Sequence, residues 1–382
     1  MDYVKVLHCA DLHLGAELSS LGGIAMERRQ ELLSTFINIT TICRDEKVDL
    51  LLIAGDLFEG SNIDSNTVKT VKETLAKIPE TIVAISPGNH DYMAVDSPYA
   101  DNDWSGNVNI FKSDLEKIDF PDKGVCLWGA AFRSTYVTKG FLEYVPPVDK
   151  SRINICVVHG DLVSNYQLSS YNPVTPMRIS SSGMDYIALG HTHKYSGINN
   201  IGTTWYGYSG CPEGMGFDEL DDKGILIGTV HKGSVNLEFR PISMRRNIEL
   251  RADITSARSD LEAYDIIRHR MKCEYGDSYQ RNLYKVILEG ALEEDYSPDV
   301  TAIAARLKGE THYLKVRDNT HVQVDLDGLS RETSLKGIFV RMMLAKIAGL
   351  NGSDDSARVE RYRKAMYVGI KAFDKEVPAN DH

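Results

Sequence analysis

Nothing in this chain approaches the roughly 20 consecutive apolar residues that cross a bilayer. Its first residues, Met1-Asp2-Tyr3-Val4-Lys5, lead into a polar, His-bearing segment and not into the apolar core of a signal peptide. The six cysteines (Cys9, Cys43, Cys126, Cys156, Cys211, Cys273) form no Cys-x-x-Cys pair, so neither a zinc ribbon nor a disulfide framework is indicated. There is no Gly-x-x-x-x-Gly-Lys-Ser/Thr phosphate cradle, so any ATP dependence has to come from another chain. A Gly-x-Ser-x-Gly nucleophile elbow is also missing, because Gly207-Tyr208-Ser209-Gly210-Cys211 lacks the final glycine; serine hydrolase chemistry is unsupported. Internal repeats and low-complexity tracts are absent. These absences lead to the expectation of a cytoplasmic protein with no membrane partner.

What is present is ordinary globular usage: 382 residues, 42% hydrophobic and 25% charged, enough for one large domain and one or two smaller pieces. The net charge of −11 argues against gripping nucleic acid by bulk electrostatics. The excess of acid is uneven, however. Residues 331–382 carry a net +3, and the remainder carries −14, part of which bound cations would reverse.

Up to about residue 245, short β-rich apolar runs alternate with loops and helical patterns. Strands are expected at Tyr3–Cys9, Leu50–Ala54, Thr81–Ile85, Val125–Ala130, Ile153–Val158, Tyr186–Leu189, Thr203–Tyr208, Ile225–Val230 and Val235–Phe239. Amphipathic helices are expected near 25–46 and 64–77. This order predicts an α/β domain (1–245) built as a two-sheet β-sandwich flanked by helices, with the later strands forming the second sheet. The pattern then resets. Residues 246–330 read as a small β-α-β-α-β unit of their own, and 331–382 as C-terminal helices. The first of these helices, 335–350, repeats apolar residues at i, i+3/i+4, i+7, and an Asn351–Asp355 break separates it from the second.

Five short clusters carry the chemistry: Asp11-Leu12-His13, Gly55-Asp56, Gly88-Asn89-His90-Asp91, His159-Gly160 and Gly190-His191-Thr192-His193. Each follows the carboxyl end of an apolar strand, the edge where α/β sheets gather ligands. Any one of them is an ordinary turn or a satisfied histidine as often as not. Five in succession, holding or flanking six of the chain's 11 histidines, are not. The donors are oxygen and imidazole nitrogen with no sulfur, a set suited to Mn²⁺, Fe²⁺ or Zn²⁺. They are too many for one catalytic ion, which takes three or four protein ligands, and enough for two ions sharing a carboxylate.

In this order the clusters resemble those of the calcineurin-like metallophosphoesterase superfamily, over about residues 5–210. Leu7-His8-Cys9-Ala10-Asp11-Leu12-His13-Leu14-Gly15, Gly55-Asp56-Leu57-Phe58, Tyr208-Ser209-Gly210-Cys211-Pro212 and Gly216-Phe217-Asp218-Glu219 resemble the SbcD-type DNA repair exonucleases, with a YhaO-like flavour. The resemblance implies that Asp11, His13, Asp56 and His193 hold one metal ion, and Asp56, Asn89, His159 and His191 the other. It also implies His90 over the phosphate, with Asp91 orienting or charging it. Archaeal and eukaryotic relatives carry a second active-site histidine three residues after the shared aspartate. Here that position is Glu59, as is usual in the bacterial branch.

The resulting expectation is a metal-dependent DNA exonuclease of DNA repair, most readily with two Mn²⁺, that hydrolyses phosphodiesters with a two-metal-activated water. Its expected partners are DNA and an SMC-like coiled-coil ABC-type ATPase subunit docked on the C-terminal helices. The resemblance implies that residues 246–330 are a small α/β capping domain that helps position DNA; at a net −4 they are no obvious DNA gripper by charge, and a homodimer or stability module is the lesser alternative. Two alternatives remain: a metallophosphoesterase acting on a nucleotide, a phosphoprotein or another small phosphoester, and a platform whose main task is docking the ATPase.

Overall fold

The computed structural model describes residues 3–60, 63–101, 103–293, 295–323, 325–350 and 356–374. The expected break at Asn351–Asp355 lies outside them. The chain divides into two compact units. The first runs through Glu249 and includes Arg281–Tyr284; the second comprises Leu250–Gln280 and the residues from Lys285 on.

In the first unit, β1 (Tyr3–Cys9), α1 (Ala25–Asp45), β2 (Leu50–Ile53), α2 (Ser65–Ala76), β3 (Ile82–Ile85) and β4 (Val108–Ile110) are followed by β5 (Glu116–Phe120), β6 (Val125–Gly129), β7 (Ile153–His159), α3 (Pro176–Ser181), β8 (Tyr186–Gly190), β9 (Asn199–Ile201), β10 (Thr204–Tyr208), β11 (Gly224–His231) and β12 (Ser234–Pro241). They form two six-stranded sheets, ordered β12-β11-β1-β2-β3-β4 and β5-β6-β7-β8-β10-β9. Strands β1 to β4 run parallel, as do β6, β7, β8 and β10.

Central strands of a parallel sheet are buried on both faces, which is why they read as continuous apolar runs. Along β1, Val4 and Val6 face the second sheet, where they join Leu52, Leu127, Ile155 and Ala188. Leu7 and Cys9 point the other way, under Leu32, Phe36 and Ile39 of α1 and Val71 and Leu75 of α2. The outer face of the second sheet is covered by Phe141, Leu142 and Ile179 over Trp128, Cys156 and Leu189. The helix α2 starts where the Asp64 carboxylate accepts from the Thr67 N–H at 3.2 Å.

The sandwich is as expected, with one correction to its wiring. The last two strands, β11 and β12, do not extend the second sheet. They return as a hairpin to the first, β11 pairing antiparallel with β1 from Tyr3↔His231 to His8↔Leu226. A sequence that lists strands one after another carries no mark of which edge a late hairpin rejoins.

A three-stranded sheet is formed by β13 (Asn247–Asp253), β14 (Leu283–Glu289) and β16 (Tyr313–Asp318), of which the second unit holds Leu250–Asp253, Lys285–Glu289 and all of β16. That unit also holds α4 (Asp260–Tyr275), a short pair β15 (Ala291–Leu292) and β17 (His321–Val322), and α5 (Val300–Leu307). The helices α6 (Leu326–Arg331), α7 (Leu335–Ala348) and α8 (Ser356–Asp374) follow, the last two meeting through Val340, Met343, Met366 and Ile370. Among the described residues no helix is long and apolar enough to cross a membrane.

Candidate metal centre

All five clusters lie at the carboxyl ends of β1, β2, β3, β7 and β8, and the sandwich brings them together. The chain there is bent into conformations that side chains seldom adopt: φ is +54° at Asp11, +47° at His13, +50° at Asp56 and +105° at His191. Non-glycine residues in this region store about 1–3 kcal/mol each and persist only where the surroundings hold them. The loops hold one another here. Asp11 N–H donates to Gly55 O (3.0 Å), His13 N–H to Asp56 O (2.9 Å), and His191 N–H to Asp11 Oδ1 (3.0 Å). At Gly55, φ is +93°, and a Cβ would run into the His159 ring, so only glycine lets the Asp56 loop pass.

The donors form two groups that meet at Asp56. On one side, Asp11, His13 and His193 offer ligand atoms within 4.8 Å of one another, with His13 Nε2 3.1 Å from His193 Nε2. On the other, His159 Nε2 lies 2.9 Å from Asn89 Oδ1 and 3.2 Å from His191 Nδ1, and Asn89 Oδ1 lies 3.2 Å from His191 Nδ1. Asp56 Oδ2 faces both groups, 3.8 Å from His13 Nε2 and 3.2 Å from His159 Nε2.

Each of the four rings has its remaining nitrogen beside an oxygen, three of them within hydrogen-bond distance. His13 Nδ1 is 2.5 Å from Glu59 Oε2, His193 Nδ1 meets Glu219 Oε1, His159 Nδ1 is 3.0 Å from Ala54 O, and His191 Nε2 is 3.4 Å from Asp161 Oδ1. Such partners fix the tautomer and turn the other nitrogen's lone pair inward, the arrangement found around histidines that ligate metals. Lone pairs then face lone pairs across about 3 Å. Protons shared among the rings satisfy this poorly, whereas divalent cations satisfy it fully. The donor set therefore fits a pair of such ions.

The charges agree. Burial alone would raise the Asp56 pKa, but the adjoining His159, with His13 and His90, outweighs it and holds Asp56 below the usual carboxylate range. Burial would lower His159, and the Asp56 and Asp11 charges raise it instead. His191 is lowered by burial and by the charge of His159. Against burial, the Glu219 carboxylate raises His193.

His90 lies at the rim of this donor set, with a ring nitrogen within 4.8 Å of ligand atoms of His13 and Asp56, its side chain 43% exposed and its backbone N–H on Asp56 Oδ1 at 2.9 Å. Its ring meets Glu59, not Asp91: His90 Nδ1 is 3.0 Å from Glu59 Oε1. Asp91, expected to orient His90, is 2% exposed and accepts from Gly88 N–H (2.7 Å), Phe58 N–H (3.1 Å) and Tyr99 O–H (2.5 Å). Its carboxylate ties the Asn89 loop to the Asp56 loop. Burial and the nearby Asp56 charge push its pKa up.

Glu219 has a place that sequence reasoning missed, though its motif stood out. Besides His193, it accepts from the Met215 N–H at 2.7 Å. The loop before it is fixed by a buried ion pair, Arg28 Nη2 to Glu213 Oε1 at 2.8 Å, with Thr35 and the Met244 N–H completing the Glu213 carboxylate.

A sandwich of two mixed sheets with paired oxygen and imidazole donor groups at the strand ends defines a phosphoesterase that works through divalent cations. The sequence pattern of the calcineurin-like phosphoesterase family matches residues 4–195, and the chain belongs to that family. Similar proteins include the uncharacterized metallophosphoesterase YhaO of Bacillus subtilis, 27% identical over 61% of this chain and 59% of its own length, so the chain spans under two thirds of that relative. A subunit of the nuclease SbcCD from Staphylococcus epidermidis is 26% identical over 72% of this chain and 77% of its own. The DNA double-strand break repair protein Mre11 of Methanopyrus kandleri is 24% identical over 86% of this chain and 76% of its own.

Proposed function

We propose that this phosphoesterase is a DNA nuclease, an exonuclease of DNA repair, that works with two divalent ions, Mn²⁺ foremost. The observation that carries the reading is a pair of donor groups sharing Asp56, with His90 half-exposed beside them. DNA is favoured over a small phosphoester because the similarity to proteins named as nucleases runs past residue 195. The Mre11-named relative matches 86% of the chain, which takes in much of the second unit.

Asp11, His13, Asp56 and His193 would hold one ion, and Asp56, Asn89, His159 and His191 the other. Bound there, the pair supplies charge for the phosphodiester and lowers the pKa of an attacking water. Asn89 and neutral imidazoles add donors without adding negative charge, so the site stays attractive to an anion. At the rim, His90 can donate a hydrogen bond or proton to the oxygen that leaves. Asp91 keeps its loop in register and has no contact with the His90 ring among its described bonds.

Residues 246–330 would serve as the cap that helps position DNA. The helices from 331 on would dock an SMC-like coiled-coil ATPase. In support, α7 keeps Leu335, Ile338 and Met342 exposed at i, i+3 and i+7, an apolar stripe of the kind a partner helix covers.

The test compares linear DNA with a small phosphomonoester, both with Mn²⁺. DNA should be degraded, and Asp56→Ala or His90→Ala should abolish this, the latter by about 10²–10⁴-fold, without changing the melting temperature of the second variant. Hydrolysis of the monoester alone would remove the nuclease reading. Undiminished activity in both variants would remove the mechanism.

A further inference from the structure

We propose that Glu59 is a positioning residue whose single carboxylate holds both the His13 and the His90 ring, coupling metal retention to the placement of the group that faces the substrate. This rests on the phosphoesterase reading of the centre, and it gives a definite task to a side chain found where other branches carry a histidine.

The geometry is that of a two-armed bracket. Oε2 takes the Nδ1 of His13 at 2.5 Å, and Oε1 takes the Nδ1 of His90 at 3.0 Å. The two rings stand edge to face, 4.8 Å apart with planes at 87°. A spacer as long as one carboxylate spans them without tilting either. The base of the bracket is fixed as well: Glu59 N–H donates to Leu14 O at 3.0 Å and Leu14 N–H to Leu57 O at 2.9 Å, so the loop after β2 is stitched to the loop that carries His13. His90 is anchored at its other end through its backbone N–H on Asp56.

A carboxylate only accepts hydrogen bonds. Each ring must therefore present an N–H at Nδ1, which leaves each Nε2 free for its own work. In His13 that nitrogen faces His193 and Asp56 inside the donor cluster. In His90 the other nitrogen carries no bond to Glu59, and the ring, 43% exposed, is the more open of the two. A histidine at position 59 could hold one such ring but not two acceptor bonds at once. Glutamine has the shape of glutamate, but its nitrogen cannot accept, so one ring would have to reverse its tautomer or let go.

The test uses the full chain and the variants Glu59→Gln and Glu59→Ala, with two readouts: Mn²⁺ binding by calorimetry, and kcat and KM on a chromogenic phosphodiester. Both variants should bind the weaker-held Mn²⁺ about 10–100-fold less tightly, as loss of an imidazole's outer partner does. At saturating Mn²⁺ both should lose about 10²-fold in kcat, the effect of a misplaced group, with KM unchanged. Melting of the metal-free chain should fall by no more than the loss of one or two hydrogen bonds implies, about 1–3 kcal/mol. If Glu59→Gln matches the wild type in affinity and kcat, the proposal is overturned. It is equally overturned if only one readout changes, since the bracket requires both, or if the metal-free chain loses far more stability than those bonds account for, since the role is then structural. The calorimetry and the small diester do not involve DNA, so a wild type that binds Mn²⁺ but leaves DNA intact would defeat the nuclease reading without touching this one.

Discussion

At Arg28 the guanidinium is 1% exposed and lies between Glu31 and Glu213, with Gly214 O accepting a further bond at 2.9 Å. Burial raises the Glu213 pKa, and Arg28, the Met244 N–H and Thr35 work against that rise. Removing one partner of such a pair strands the other charge in a dry interior, at a cost of about 3–5 kcal/mol. Arg28→Ala should therefore lower stability by that amount in denaturant titrations. It should also weaken Mn²⁺ binding, because the Glu213 loop leads directly to Glu219 behind His193. Arg28→Ala with unchanged stability would mean that the pair is not what holds this loop. The same residue scale explains what sequence reasoning could reach. The donors announced themselves through residue type and position after apolar strands. The roles of Glu59 and Glu219 did not, because a carboxylate that braces a ring looks in a sequence like any solvated acid.

Between elements, the second unit is braced at Glu310, just beyond α5. Its carboxylate accepts from Tyr264 and Arg268 of α4 (the latter at 2.6 Å) and from Tyr279 at 2.8 Å. Burial would raise the Glu310 pKa, but these bonds bring it down from 4.5 to about 2. A carboxyl depressed on folding adds stability above its unfolded value and loses it as the pH falls through the folded one. Glu310 should thus stabilise the unit fully above about pH 4.5 and cease to do so near pH 2. In Glu310→Gln the corresponding acid dependence should vanish, and neutral stability should fall by about 1–3 kcal/mol. A variant with the wild-type pH profile would show that the bonds contribute nothing net. At this scale the long, doubly buried strands were legible from their unbroken apolar runs. The strands β4, β5 and β9 were not, since three to five residues rich in Asn, Glu, Asp and Lys carry no period to read.

For the whole molecule, the feature that sequence order concealed is the closing hairpin, and it bears on stability. The strand β1 lies between β2 and β11, so its backbone groups from Tyr3 to His8 rely on residues 226–231 for half their partners. Leu237→Asp, which puts a charge on a hairpin residue of the inter-sheet core, should cost several kcal/mol and lower Mn²⁺ binding together with the melting temperature. Retained melting would mean that the hairpin is dispensable. There is also a consequence for birth on the ribosome. Strand β1 is made before its partner β11 and waits, one edge bare, until more than two hundred further residues have been translated. An edge left open that long invites pairing with strangers, which makes the nascent chain a natural client for chaperones.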